Sequence, residues 1–154
     1  MGHEFIAIDE AGFQLTTSYK KIWFPRGETP RGAFFWSTKK IITLGALTSN
    51  HKFYYDFYDS QNSLTFMHFL RELFKKLNKK KRYVLIMDNV GFHKTQCVKK
   101  LIEEYSHISV EHIPPYSPEL NPIETCWKVT KNHVTKSQYF QTIDAMQEAL
   151  ETFW

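Results

Sequence analysis

The architecture this sequence predicts is α/β: a mixed five-stranded sheet flanked by helices. Three observations carry that expectation. Three segments rich in β-branched and aromatic residues come first, and helical periodicities then alternate with short apolar runs. One of those runs, Tyr83 to Met87 (YVLIM), has the unbroken apolar character of a strand buried on both faces. The predicted order is strand, strand, strand, helix, strand, helix, strand, helix, helix. That order makes an antiparallel meander joined to parallel strands through right-handed crossovers. At 154 residues the chain suits one domain with a real core.

Glu4 to Leu15 (EFIAIDEAGFQL) opens with an apolar run that stops at Asp9-Glu10 and resumes past Gly12. This predicts a buried strand ending near Asp9 and the start of its hairpin partner. Lys20 to Gly32 mixes aromatic, basic, proline and glycine residues without a period and reads as a loop. Ile41 to Thr48 and Lys52 to Tyr58 are two further strands, with Ser49-Asn50 as the turn between them. From Ser63 to Leu77, residues Leu64, Phe66, Met67, Leu70, Leu73, Phe74 and Leu77 recur at helical steps, with Ser63 as the cap. Lys79-Lys80-Lys81-Arg82 ends that helix and is better read as a solvated turn than as a DNA contact.

The strand Tyr83 to Met87 stops abruptly at Asp88-Asn89. Thr95 to Tyr105 is helical through Cys97, Val98, Leu101, Ile102 and Tyr105, and Ile108 to Ile113 is short and alternating enough for a strand. Prolines 114, 115 and 118 then stiffen the approach to another helix. Asn121 is its N-cap, Pro122 its first residue and Glu124 its third. Ile123, Trp127, Thr130 and Val134 share one face of it, which leaves Lys128, Lys131 and Lys136 for solvent or a ligand. Thr142 to Phe153 closes the chain with a stripe of Ile143, Met146, Ala149, Leu150 and Phe153.

The net charge of +4 and pI near 9.0 favour an anionic partner such as nucleic acid. Cys97 and Cys126 form no CxxC pair and no zinc spacing, so neither a disulfide framework nor a structural zinc site is supported, and a reducing, cytoplasmic setting fits. No apolar stretch is long enough to cross a bilayer, and no signal segment leads the chain.

If the fourth strand lies parallel beside the first, Asp9 and Asp88 meet at the sheet edge where ligands of open α/β sheets gather. The first turn holding Glu124 can face the same edge. Taken singly, each residue has an ordinary explanation. Asp9 and Asp88-Asn89 suit turns, while Glu124 suits a capping box with Asn121 and an i,i+4 pair with Lys128. Together, three converging carboxylates repel and protonate unless cations compensate. Hard oxygen donors suit magnesium or manganese rather than zinc, and two such ions about 4 Å apart stabilise an in-line displacement at phosphorus. Glu124 cannot fully serve both Asn121 and a metal, and the metal is the better reading. Strand alternation turns Glu10 away, so it stays out of the cluster.

The strings IAIDEAGF, VLIMDNVGFH and PPYSPELNPIETCW resemble the three catalytic motifs of DDE transposases, in the insertion-sequence branch of the mariner-like superfamily. The 35 residues between Asp88 and Glu124 are similar to that family's spacing, and the resemblance spans essentially the whole chain. It implies a ribonuclease-H-like fold and a metal-dependent transposase that cuts element ends by phosphodiester hydrolysis. The freed 3′-hydroxyl then joins target DNA by transesterification.

By the same resemblance Asp9, Asp88 and Glu124 bind two Mg2+ or Mn2+ ions. Asn89 and His93 match positions that accompany the second aspartate, either orienting its carboxylate or contacting scissile DNA. Lys94, Lys128 and Lys131 beside the acidic motifs, with Arg26 and Arg31 in the loop that also holds Trp23, are candidates for phosphate contact. DNA at the element ends and at the target is the implied partner, with a homodimer in the DNA complex and no membrane. The implied location is the cytoplasm, at the nucleoid in a bacterium.

The family's N-terminal helix-turn-helix modules have no counterpart here, so residues 1–154 read as a single catalytic domain that binds DNA weakly and in a salt-dependent way. Two alternatives compete. A ribonuclease-H-type nuclease would bring a fourth acid and no transesterification. A decayed or domesticated transposase domain would only bind DNA or a partner, and the intact Asp9, Asp88 and Glu124 speak against it.

Overall fold

Residues 2–16, 25–28, 36–115, 117–136 and 138–154 are described in a computed structural model of the chain. Five strands, β1 (His3–Gln14), β2 (Lys40–Thr48), β3 (Phe53–Tyr58), β4 (Arg82–Met87) and β5 (Ile108–His112), form one sheet in the order β3-β2-β1-β4-β5. β1 runs antiparallel to β2 and β2 to β3, whereas β4 is parallel to both β1 and β5. Parallel neighbours cannot be joined by a tight turn. The helices α1 (Ser63–Lys76) and α2 (Gln96–Glu103) supply the crossovers into β4 and β5, and α3 (Pro122–Thr130) and α4 (Ile143–Phe153) follow the last strand. This is the mixed sheet that the order of segments predicts.

The first strand departs from expectation. It does not end at Asp9 but continues through Asp9-Glu10 to Gln14, and its hairpin partner is β2, paired from Ile6↔Thr48 to Gln14↔Lys40. Two acids are tolerated inside a strand because alternation sends them to opposite faces and each meets a polar partner, Trp127 for Asp9 and His93 for Glu10. Beyond the strand, Leu15 N–H donates to the Lys39 carbonyl at 3.0 Å and the Thr16 hydroxyl to the Ser37 carbonyl at 2.7 Å, closing the base of the long excursion. Within that excursion Pro25 to Glu28 form a turn with Gly27 at φ 94°; Trp23 and Arg31 lie outside the described residues.

Two apolar layers sandwich the sheet. On one face Ile6, Ile8, Leu44, Leu85 and Met87 pack against Phe66, Leu70 and Phe74 of α1 and Val98 and Leu101 of α2. On the other Ala7, Ala11, Phe13 and Ile41 meet Ile123, Trp127, Val134, Met146 and Leu150. β4 is fully buried only on its Tyr83, Leu85 and Met87 side; Val84 and Ile86 are half-buried. The expectation of burial on both faces fails because α3 covers β1 and β2, and α4 covers β2.

Helix starts follow side-chain chemistry. Asn62, not Ser63, caps α1: its side chain accepts from Leu64 N–H at 2.9 Å and Thr65 N–H at 3.1 Å, and Thr65 Oγ1 accepts the Asn62 N–H in return. Asn and Ser are equally good caps, and the reciprocating Thr65 decides between them. Thr142 caps α4 through Ala145 N–H. The face of Ile123, Trp127, Thr130 and Val134 is buried throughout, and a single π-helical turn, Lys131–Thr135, extends α3. In α4, Met146 and Leu150 are buried while Phe153 is exposed. Both cysteines are free thiols, and among the described residues no helix is long and apolar enough to cross a membrane.

Candidate active site

β1 pairs with β4 only from His3↔Arg82 to Ala7↔Ile86, and extending that register by two residues sets Asp9 level with Asp88. β4 stops at Met87, so Asp9, although in mid-strand, faces an open edge on that side. Pro122 starts α3 from the same edge, with Glu124 in its first turn. The three carboxylates line one cavity of about 280 Å³ with Asn89 and Asn121, and Ile113, Pro114 and Pro115 form part of its wall.

Asp9 is held from the α3 side. The buried Trp127 indole N–H donates to its Oδ2 at 3.1 Å. Across the strands Asp9 is paired with Gly45, so a side chain at position 45 would share its face. The indole occupies that space: a Cβ on Gly45 would lie 2.5 Å from Trp127 Cη2 and 2.6 Å from Cζ2. Phe13, Phe53 and Trp154 box the ring at centroid distances of 6.2, 5.6 and 5.8 Å. Burial first, then the charge of Glu10, with smaller contributions from Glu124 and Asp88, pushes the Asp9 carboxyl up to about 7 against an opposing backbone hydrogen bond at Glu10. Helical spacing alone puts Trp127 in the core and does not link it to Asp9, and the one signal for Gly45 in the sequence is a lone glycine inside a strand.

Asp88 is held from the other side. Its Oδ1 accepts the Val90 N–H at 3.2 Å and stands 2.9 Å from His93 Nδ1, at ion-pair distance but off the axis of a hydrogen bond. His93 Nε2 is 2.6 Å from Glu10 Oε1. Burial lowers the affinity of His93 for a proton, but the hydrogen bond and charge of Glu10, and then Asp88, outweigh it and raise the pKa. Glu10 faces away from the carboxylate cluster, as alternation requires. Asn89 reaches the cavity with its amide N–H on the Ile113 carbonyl at 2.6 Å, tying the exits of β4 and β5 together.

Neither half of a capping box forms at α3. Asn121 sits at the N-cap with its side chain capping nothing, and its Oδ1 is buried without a partner among the described residues. Glu124 is exposed, and among the described residues no hydrogen bond or ion pair holds its carboxylate. The basic candidates among the described residues stand apart from this cavity. Lys94, Lys128 and Arg26 are exposed and outside its lining, and Lys131 Nζ lies 5.8 Å over the Phe13 ring. Arg31 lies outside the described residues.

Among the described residues no three His, Cys, Asp or Glu side chains stand close enough to grip a single ion directly. What the cavity offers is an all-oxygen donor set in which no carboxylate is paired with lysine or arginine among the described residues, and in which Asp9 is reluctant to ionise. That chemistry suits a hard divalent cation that keeps part of its water shell.

Residues 4–147 match the profile of DDE superfamily endonucleases. The chain is 27% identical over 156 aligned positions to the insertion element IS630 uncharacterized 39 kDa protein of Shigella sonnei, covering 97% of this chain and 45% of that protein. Among solved structures it is similar to the Mos1 mariner paired end complex with Mn, at TM-score 0.80 and 18% identity, covering 97% of this chain and 47% of that one. It is also similar to the catalytic domain of Mos1 mariner transposase, at TM-score 0.71 and 18% identity, covering 98% and 70%. The chain thus spans about half the length of the Shigella relative. The structural likeness shows the fold, which is the ribonuclease-H-like one.

Proposed function

This chain belongs to the DDE superfamily endonucleases, and from that membership we propose that it is the catalytic domain of a DNA transposase. In this reading it hydrolyses a phosphodiester at each element end and joins the resulting 3′-hydroxyl to target DNA by transesterification. The observation that carries the proposal is the convergence of Asp9, Asp88 and Glu124 on one cavity with no basic side chain in its lining among the described residues.

Asp9, Asp88 and Glu124 would hold divalent metal, two ions of Mg2+ or Mn2+, whose charge when bound stabilises the attacking and leaving oxygens at phosphorus. Support for these ions comes from two similar structures, the Mos1 mariner paired end complexes with Mn and with Mg. The chain's own residues prepare the place: Trp127 fixes the Asp9 carboxylate from behind, and the rigid start of α3 at Pro122 aims Glu124. His93 and Asn89 support the Asp88 side of the site. DNA is the partner, bound as a homodimer, with phosphate contacts from Lys94, Lys128, Lys131, Arg26 and Arg31 in keeping with the net charge of +4. Glu10 is turned to the opposite face against His93, so it does not supply the fourth metal-facing acid that a ribonuclease-H-type nuclease would bring.

The test is Asp88→Asn, assayed for Mg2+- or Mn2+-dependent nicking and for strand transfer from a pre-cut end. Loss of both activities in a folded variant is expected, because the substitution removes one charge of the cluster. Unchanged cleavage in that variant, or full activity in EDTA, overturns the mechanism. Cleavage without any strand transfer by the parent chain favours the nuclease.

A further inference from the structure

We infer that Glu10 is a positioning residue that acts through His93 to set the carboxylate of Asp88. The inference rests on the reading of Asp88 as a metal ligand and goes beyond it, since Glu10 faces away from the cavity.

The side chain of Glu10 is 4% exposed and that of His93 0%. A carboxylate sunk into an apolar layer is costly unless it is paired, and a well-packed apolar residue at the same place is often as good for stability or better. Its pairing here is short and specific: Glu10 Oε1 and His93 Nε2 are 2.6 Å apart although 83 residues separate them in sequence. Charge-assisted contacts of this length have a defined direction.

The imidazole cannot swing away from that contact. Phe66 lies against it with ring centroids 4.2 Å apart, and Phe92 meets it edge-on at 4.5 Å. With one nitrogen anchored and the ring plane held, the second nitrogen is set 2.9 Å from Asp88 Oδ1, at ion-pair distance though off the axis of a hydrogen bond. Asp88 needs such a constraint. It lies just past the end of β4, its side chain is 42% exposed, and its Oδ1 otherwise accepts only the Val90 N–H at 3.2 Å. Occupying Oδ1 leaves Oδ2 as the oxygen without a partner among the described residues. A histidine fixed through one nitrogen by a carboxylate and presenting the other to a working group is how outer-shell residues orient metal-site chemistry.

The test measures the Mn2+ dissociation constant of the 154-residue chain by electron paramagnetic resonance, with circular dichroism melts to verify folding. Glu10→Ala is expected to weaken Mn2+ binding by about 10-fold or more, the range typical for loss of an outer-shell partner, and to shift the His93 imidazole 15N resonances in metal-free protein. Glu10→Gln keeps the shape and an acceptor oxygen, and is expected to restore affinity to within roughly threefold of the parent. If Glu10→Ala does not fold, Glu10→Asp, one carbon short of the 2.6 Å contact, carries the same expected loss.

Parental Mn2+ affinity in folded Glu10→Ala or Glu10→Asp overturns the positioning role. So does a loss that Glu10→Gln fails to rescue, because affinity then follows the charge of Glu10 and not the hold of its side-chain oxygen on His93. Asp88→Asn is the control arm. If it binds Mn2+ as the parent does, or if the parent binds none, the reading of the metal site fails, whatever the Glu10 variants do.

Discussion

Gly45→Ala is the perturbation that most directly probes how the site is held. The new methyl carbon would sit 2.5 and 2.6 Å from two carbons of the Trp127 ring and 3.1 Å from Ile123 Cδ1, whereas carbon atoms rest about 3.5 to 4.0 Å apart. The ring must therefore move by about 1 Å, and Phe13, Phe53 and Trp154 close the directions it could take. Overpacking of this kind costs about 1 to 3 kcal/mol, and breaking the buried bond from Trp127 to Asp9 adds about 1 to 3 kcal/mol. The stiffer unfolded chain returns less than about 1 kcal/mol. The net expectation is a loss of roughly 3 kcal/mol, which for a chain of this size is a fall of about 6 to 12 °C in Tm.

The assay is a thermal melt combined with the indole 1H–15N resonance of Trp127, which should shift as its acceptor is lost. Trp127→Phe provides the second arm, since a smaller ring removes the clash. In that background Gly45→Ala should cost less than about 1 kcal/mol, the coupling expected of residues in contact. Equal cost in both backgrounds, or a Gly45→Ala chain within about 0.5 kcal/mol of the parent, would refute the claim that the missing side chain makes room for the indole.

Two further expectations follow from side chains already described. The Asp9 carboxyl is raised from 3.8 to about 7, so the folded chain holds a proton that the unfolded chain has released between those values. Stability at Asp9 is therefore full below about pH 4, falls as pH rises towards 7, and levels off above it. Asp9→Asn, which still accepts the Trp127 N–H, should stabilise the metal-free chain at pH 8 by up to about 4 kcal/mol and have no stabilising effect at pH 3.5; urea melts at the two pH values check this. Asn62→Ala removes the cap of α1 and should cost about 1 kcal/mol in the same melts while leaving Mn2+ affinity unchanged.

Much of the fold was legible because periodicity is a local property. The alternation of helical and apolar segments places every strand and helix of the sheet in order, and the stripe from Ile123 to Val134 is buried as read. What was not legible depends on partners distant in sequence. Asp9-Glu10 resembles a strand end until Trp127 and His93 are known to meet the two side chains, and nothing near residue 10 points to residue 93. The half-covered face of β4 reflects where α3 and α4 settle, which the string YVLIM cannot encode. Lys131 was placed beside the acidic motif by sequence proximity, but the turn of the helix carries it over Phe13. The three candidate carboxylates were found because each sits at a punctuation mark, a strand interrupted by an acid, a strand stopped by one, and a helix started by proline.

The parallel pairing of β1 with β4 also governs when the acidic edge comes into being. Asp9 and Asp88 become level only when two strands nearly eighty residues apart in sequence have zipped together, a closure whose entropy must be met before its contacts return anything. The antiparallel pairing of β1 with β2 and of β2 with β3 needs far shorter loops. A folding chain can therefore assemble its aromatic hairpins while the acids are still far apart, and their mutual repulsion is first felt as the parallel half of the sheet closes.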